Sequence, residues 1–235
     1  HLDDALQAAD NAQMLKRVIK GVAQKHGFVA TFMPKPFMNV DGNGFHSHIS
    51  VLDTDGNNVF NDDTEKGSDS LRHALAGLAA TRSDLMLVFA PHRNSYRRFA
   101  AGSHMPIAPT WGYENRDVAL RIPVGDPAAR RIEHRVAGAD ANPYLVLAAI
   151  LAGVLYGLEK QLQAAQPTTG GSSDQERTLA ADWLTALRAF EQSKFVPEYL
   201  GAPFQQALCA IKYFEQEEFN RTISPFEYDA YLISS

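Results

Sequence analysis

Two runs of this chain place chemically capable side chains at every second position: Gly42-Asn43-Gly44-Phe45-His46-Ser47-His48-Ile49-Ser50 and Arg131-Ile132-Glu133-His134-Arg135-Val136. A strand turns alternate residues to opposite faces. His46, His48 and Ser50 therefore share a face in the first run. Arg131, Glu133 and Arg135 share one in the second, with Ile132, His134 and Val136 behind them. A cation, anion, cation row on a solvated edge is a ladder of weak surface salt bridges. A second row of the same kind upstream favours a site for an anionic substrate. Two imidazoles and a hydroxyl can present a metal ligand, a phosphate contact and a hydrogen-bond donor along one edge. A closed zinc site needs three or four nitrogen or sulfur ligands, and the single cysteine, Cys209, lies far away in a helical pattern. One histidine with carboxylates and phosphate oxygens points instead to magnesium or manganese.

Around these rows stand Thr31-Phe32-Met33-Pro34-Lys35-Pro36-Phe37, Asn94-Ser95-Tyr96-Arg97-Arg98, Glu114-Asn115-Arg116, Arg121-Ile122-Pro123, Arg130-Arg131-Ile132-Glu133 and Ala141-Asn142-Pro143-Tyr144-Leu145. In this order they resemble the catalytic-domain motifs of the glutamine synthetase superfamily, over about half the chain. Within it, the wording is most similar to the gamma-glutamylpolyamine and gamma-glutamylputrescine synthetases. The resemblance implies an α+β fold with an antiparallel sheet curved around the active-site cleft and flanked by helices. It also implies ATP-dependent ligation, in which the glutamate side-chain carboxylate is phosphorylated and an amine attacks the acyl phosphate.

Carried over residue by residue, the resemblance makes His46 and Glu133 ligands of the metal (Mg2+ or Mn2+) nearest the ATP phosphates. His48 and Ser50 would contact the nucleotide, and Arg116 and Arg131 would hold its phosphates. Gly42 would let the backbone approach the glutamate amino end, and Arg98 would clamp the α-carboxylate bidentately, which suits arginine better than lysine. Arg135 would neutralise the γ-carboxyl as it becomes an acyl phosphate. Phosphoryl transfer needs positioning and charge stabilisation more than covalent help, and these residue types suit it. The partners implied are glutamate, a small amine and further copies of the chain in a ring-shaped, dodecamer-like homo-oligomer.

There are two departures from the family pattern. Glutamine synthetases carry a glutamate six residues after the clamp arginine, on a flap that closes over ammonium; here that residue is His104. An imidazole lacks the fixed negative charge that selects and deprotonates ammonium, which argues for a larger amine and assigns His104 to the catalytic group. A flap realigned by one residue, with His104 outside the site, is the bland alternative. The family's metal-binding glutamates upstream of Thr31 are also missing, so the chain reads as an amino-terminally truncated catalytic domain with little turnover of its own. True glutamine synthetase and a non-catalytic homologue are the competing classes.

Composition sets outer bounds. The 235 residues are 45% hydrophobic and 21% charged, enough for a sizeable core. A net charge of -5 and a pI near 5.9 give no electrostatic case for nucleic acid or an anionic membrane. One cysteine fits a reducing cytoplasm, and the longest apolar stretch, Tyr144 to Leu158, is broken by glycines and too short to span a bilayer.

The elements that must position the two rows follow from periodicity. Apolar spacing predicts a helix over 3–25 with Asp3 as its cap. Strands are predicted at 28–33, 45–53, 117–123 and 130–136, with a hairpin turn at Asp53-Thr54-Asp55-Gly56-Asn57-Asn58. A helix is expected from the Ser68 cap to about Ala80, with a second piece through Leu87. The stretch 91–113 has no period, and its arginines mark it as a functional loop. A long apolar helix is expected over 142–162, with Pro143 in its first turn, and helices at 176–192, 203–218 and 225–232. The expected organisation is a catalytic core at 1–164, a linker at 165–175 and a helical part of the same domain at 176–235. Changing His104→Glu is expected to raise the use of ammonium as acceptor, measured as the ratio of ammonium to organic-amine turnover; an unchanged ratio supports the realigned loop.

Overall fold

The computed structural model describes residues 3–99, 105–171 and 179–233, and within them four short strands make one sheet. These are β1 (Ser47–Ile49), β2 (Trp111–Tyr113), β3 (Leu120–Ile122) and β4 (Ile132–His134), in the order β1-β4-β3-β2. Facing residues on neighbouring strands point the same way. Ser47 faces His134, Ile49 faces Ile132 and Leu120 faces His134, giving one buried face. His48 and Arg121 both face Glu133, giving the other.

The sheet is mixed, not antiparallel as expected. β4 runs antiparallel to β1 and β3, but β2 and β3 are parallel. Glu114 takes a left-handed φ of 50°, and an Asx turn follows in which Asp117 N donates to Asn115 Oδ1 at 2.9 Å. The intervening segment, residues 114–119, is long enough to run back along a three-residue strand, so β3 sets off in the direction of β2. Residues 28–33 form no strand, and Phe28 and Val29 are exposed. Their β-propensity is spent where the described residues offer no neighbouring edge.

The helices are α1 (Ala5–Lys25), α2 (Asp69–Phe89), α3 (Pro143–Glu159), α4 (Trp183–Gln192), α5 (Ala202–Arg221) and α6 (Pro225–Tyr231). α1 is capped by Asp4 rather than Asp3, with Gln7 N donating to Asp4 Oδ1 at 2.9 Å. α2 is one unbroken helix rather than two pieces, capped by the Ser68 hydroxyl. α3 starts with Asn142 as cap and Pro143 in the first turn, where its missing N–H costs nothing. Residues from the expected linker hydrogen-bond to the β2 region: Thr168 N donates to Trp111 O at 2.7 Å, and Asn115 Nδ2 to Thr168 O at 3.1 Å.

α2 and α3 pack together, and side chains from both join those of Ile49, Leu120, Ile122 and Ile132 in the core behind the sheet. Glycines set the helix separation. A Cβ on Gly157 would overlap the His73 carbonyl, and one on Gly77 the Gly153 carbonyl. Gly21, on α1, has open space around it. Gly157→Ala is therefore expected to destabilise the protein by about 1–3 kcal/mol. Gly21→Ala should be neutral or stabilise by up to about 1 kcal/mol. Denaturant unfolding of both checks this, and equal effects would contradict it.

Beneath the sheet, His134 is 1% exposed, packs at a tilt against Phe89 and leaves Nδ1 without a partner. Burial, with smaller contributions from Arg82 and His46, pushes its pKa down from 6.5 to about 3. The unfolded chain takes up this proton near pH 6.5, while the folded chain waits until about pH 3. Stability is thus full above pH 6.5 and falls as the pH drops, by about 1.4 kcal/mol per pH unit for each such proton. His134→Leu should flatten the slope of unfolding free energy between pH 6 and 4.5, and an unchanged slope would show that His134 is not its source.

Candidate active site

The polar face of the sheet centres on Glu133, whose side chain is 4% exposed. Arg121 Nη1 donates to Oε2 at 2.8 Å and Arg135 Nη1 to Oε1 at 2.7 Å, while His46 Nδ1 lies 3.1 Å from Oε1. Burial works against the charged carboxylate, but the two guanidinia outweigh it and hold Glu133 below the usual carboxylate range. Burial, then Arg135, pushes the His46 imidazole down against the pull of Glu133. At neutral pH the row thus contains a carboxylate, two cations and a neutral imidazole.

Arg98 joins this row through backbone that has no side chains in the way. It lies in a 3-10 turn, Arg93–Phe99, and is 4% exposed. A Cβ on Gly44 would sit 3.3 Å from both Arg98 Nη2 and His46 Nε2. One on Gly42 would meet the Pro34 carbonyl at 2.6 Å and the Arg98 Cγ at 3.1 Å. Burial lowers the Arg98 pKa to about 10, with Asp140 opposing that drop, so the guanidinium stays charged at neutral pH. Among the described residues its hydrogen-bond acceptors are uncharged: Val136 O at 3.5 Å and Met105 Sδ at 3.2 Å. A buried, charged fork whose acceptors among the described residues are weak suits an incoming carboxylate.

The remaining assigned residues lie further along the same face or at its edge. Arg131 Nε donates to His48 Nδ1 at 3.2 Å, so His48 carries its ring proton on Nε2. The Ser50 hydroxyl donates to the Arg130 carbonyl at 2.9 Å, which leaves it only acceptor capacity toward a ligand. Arg116 is exposed on the turn between β2 and β3. His104 lies outside the described residues.

Two further members went unassigned in the sequence. Arg121 bonds Glu133 and, through Nη2, Glu114 Oε1 and Oε2 at 3.2 and 3.1 Å. Glu114 in turn accepts from Val124 N. The alternation of Leu120, Arg121 and Ile122 put one arginine between two apolar residues, a signal of the same kind as that around Glu133.

The donor set fits a hard divalent ion. His46 Nδ1 and Glu133 Oε1 stand 3.1 Å apart, close to the separation of two adjacent ligands that each bind at about 2.1 Å. Among the described residues no third histidine, cysteine or carboxylate completes a cluster. The other positions would fall to water, phosphate oxygens or donors outside the described residues. Arg121→Met should leave Glu133 Oε2 buried without a donor and weaken Mn2+ binding by about 10- to 100-fold. Titration calorimetry reads this, and unchanged affinity would show that Arg121 does not hold the ligand.

Comparisons with known proteins identify the family. Residues 1–231 match the family model described as glutamine synthetase, catalytic domain. The gamma-glutamylputrescine synthetase of Escherichia coli (strain K12) is 42% identical over 97% of this chain and 48% of its own length. The glutamine synthetase of Thermococcus kodakarensis is 38% identical over 92% of the chain and 49% of its own length. The solved structure of apo GmaS superposes with a TM-score of 0.88 at 35% identity, covering 98% of this chain and 54% of that one. The chain thus spans about half the length of the relatives it matches. It belongs to the glutamine synthetase family, and its match falls on the model of that family's catalytic domain.

Proposed function

We propose that this chain forms the reacting core of an ATP-dependent ligase, which joins the side-chain carboxylate of glutamate to an organic amine through γ-glutamyl phosphate. The observation that carries the reading is the unbroken run Arg98, His46, Glu133, Arg121, with Arg135 at its side: a buried cationic fork next to an imidazole–carboxylate pair. The E. coli relative named for putrescine supports an organic amine, as does His104 at the position of the family's flap glutamate.

In this reading Arg98 binds the α-carboxylate of glutamate, and the side-chain-free backbone at Gly42 admits its amino end. Arg135 faces the γ-carboxylate and offsets the charge redistributed as its oxygen attacks phosphorus. Arg131, Arg116 and the His48 Nε2–H hold phosphate oxygens and nucleotide, with Ser50 as an acceptor nearby. When bound, ATP would supply the phosphoryl group and leave as ADP, and Mg2+ or Mn2+ would neutralise the phosphate charge. His46 and Glu133 would hold that metal ion. The amine nitrogen then attacks the acyl carbon and loses a proton to solvent, the C–O bond to phosphate breaks, and inorganic phosphate leaves.

The reading extends to a homo-oligomer. Its support is the exposed apolar stripe of α1, where Leu15, Val18 and Val22 are each more than half exposed and call for cover.

The test is glutamate- and ATP-dependent phosphate release by the intact protein, comparing ammonium with diamines, polyamines and monoamines. Release with an organic amine and little with ammonium is the expected result. Release with ammonium alone would make the protein a glutamine synthetase and refute the role given to His104. Glu133→Gln should lower turnover by at least about a hundredfold, since it removes the charge at the metal; near wild-type turnover would end that assignment.

A further inference from the structure

The turn that delivers Arg98 is held from behind by a carboxylate that the proposed reaction does not use. Ser95 Oγ donates to Asp140 Oδ2 at 2.6 Å, and His92 Nδ1 lies 2.8 Å from the same oxygen. The backbone reinforces this, because His92 N donates to Ser95 Oγ at 3.0 Å and Ser95 N to His92 O at 2.9 Å. Asp140 stands on the connection from β4 to α3, two residues before the Asn142 cap. One carboxylate thus ties the start of the 3-10 turn to the connection between β4 and α3. Its side chain is 8% exposed, whereas that of His92 is 45% exposed.

The other carboxylate oxygen, Oδ1, is buried and has no hydrogen-bond partner. It and the Arg98 guanidinium approach the same point above Gly138. A Cβ there would overlap Oδ1 and come within 3.0 Å of Arg98 Nη1. The charge of Asp140 also opposes the loss of charge that burial imposes on Arg98. A buried anion with an unused oxygen, close to a buried cation whose acceptors among the described residues are weak, has a definite consequence. The anion limits the directions the fork can take.

We propose that Asp140 is the positioning residue for Arg98: it fixes the turn through Ser95 and His92, and through Oδ1 it aims the guanidinium at the substrate carboxylate. This rests on the reading of Arg98 as the glutamate clamp. A purely structural brace would need the shape of Asp140 but not its charge.

Steady-state kinetics of the intact enzyme separate these cases. Asp140→Asn preserves the shape and removes the charge. It should raise KM for glutamate by about tenfold or more, the coupling expected within one hydrogen-bond network, with KM for ATP and the melting temperature near wild type. In an Arg98→Met background the same change should add nothing. An equal rise in KM for glutamate in both backgrounds, or a parallel rise in KM for ATP, would overturn the proposal. If Arg98→Met alone leaves KM for glutamate unchanged, the clamp itself is wrong and the proposal falls with it, an outcome distinct from a failure of Asp140. Should Asp140→Asn not fold, His92→Gln at the half-exposed end decides. A rise of about two- to fivefold in KM for glutamate alone supports the proposal, and no change overturns it.

Discussion

Glu133 is an ionised carboxylate almost wholly removed from water, and the polar half of the molecule is arranged to keep it so. Removing one partner of a buried charge costs about 3–5 kcal/mol, because the remaining charge is left without compensation. Arg121, Arg135 and His46 come from three different segments, so the strands must pair in one register to deliver them. A slip of one residue would turn Glu133 into the core and His134 onto the polar face. The apolar residues around each charged one guard against this, since Ile132 and Leu120 are fully buried and their partners on the opposite face are not apolar.

The second constraint is steric. Arg98 reaches the row only because Gly42, Gly44 and Gly138 leave space beside its side chain. Behind the sheet, Gly77 and Gly157 let α2 and α3 approach each other more closely than any side chain would allow. Glycine thus serves two ends: it admits a cation to the site and it brings the supporting helices together.

Much of this was legible before any coordinates. The alternation around His46 and Glu133 places both on one face, because a two-residue period survives whatever the strand pairs with. The helix cap at Ser68 was equally plain, being a local hydrogen bond. The parallel pairing of β2 and β3 was hidden, since Trp111-Gly112-Tyr113 is too short to show a period and its direction depends on the reversal at Glu114. The stretch Phe28 to Met33 carried strand-forming residues, yet propensity does not make a strand without a partner edge. Arg121 stood in a quoted motif, but its role depends on facing Glu133 across β3 and β4, a long-range register. Asp140 was hidden for the same reason: its partners His92 and Ser95 lie 45 or more residues upstream.

The central claim is that the γ-carboxylate of glutamate is activated by phosphorylation and then transferred to an amine. Incubating the intact protein with ATP, the preferred amine and glutamate labelled with 18O in the γ-carboxylate tests it directly, with mass analysis of the phosphate released. One labelled oxygen in each phosphate is the predicted result, because the carboxylate oxygen that attacked phosphorus leaves with it. Unlabelled phosphate would contradict the account.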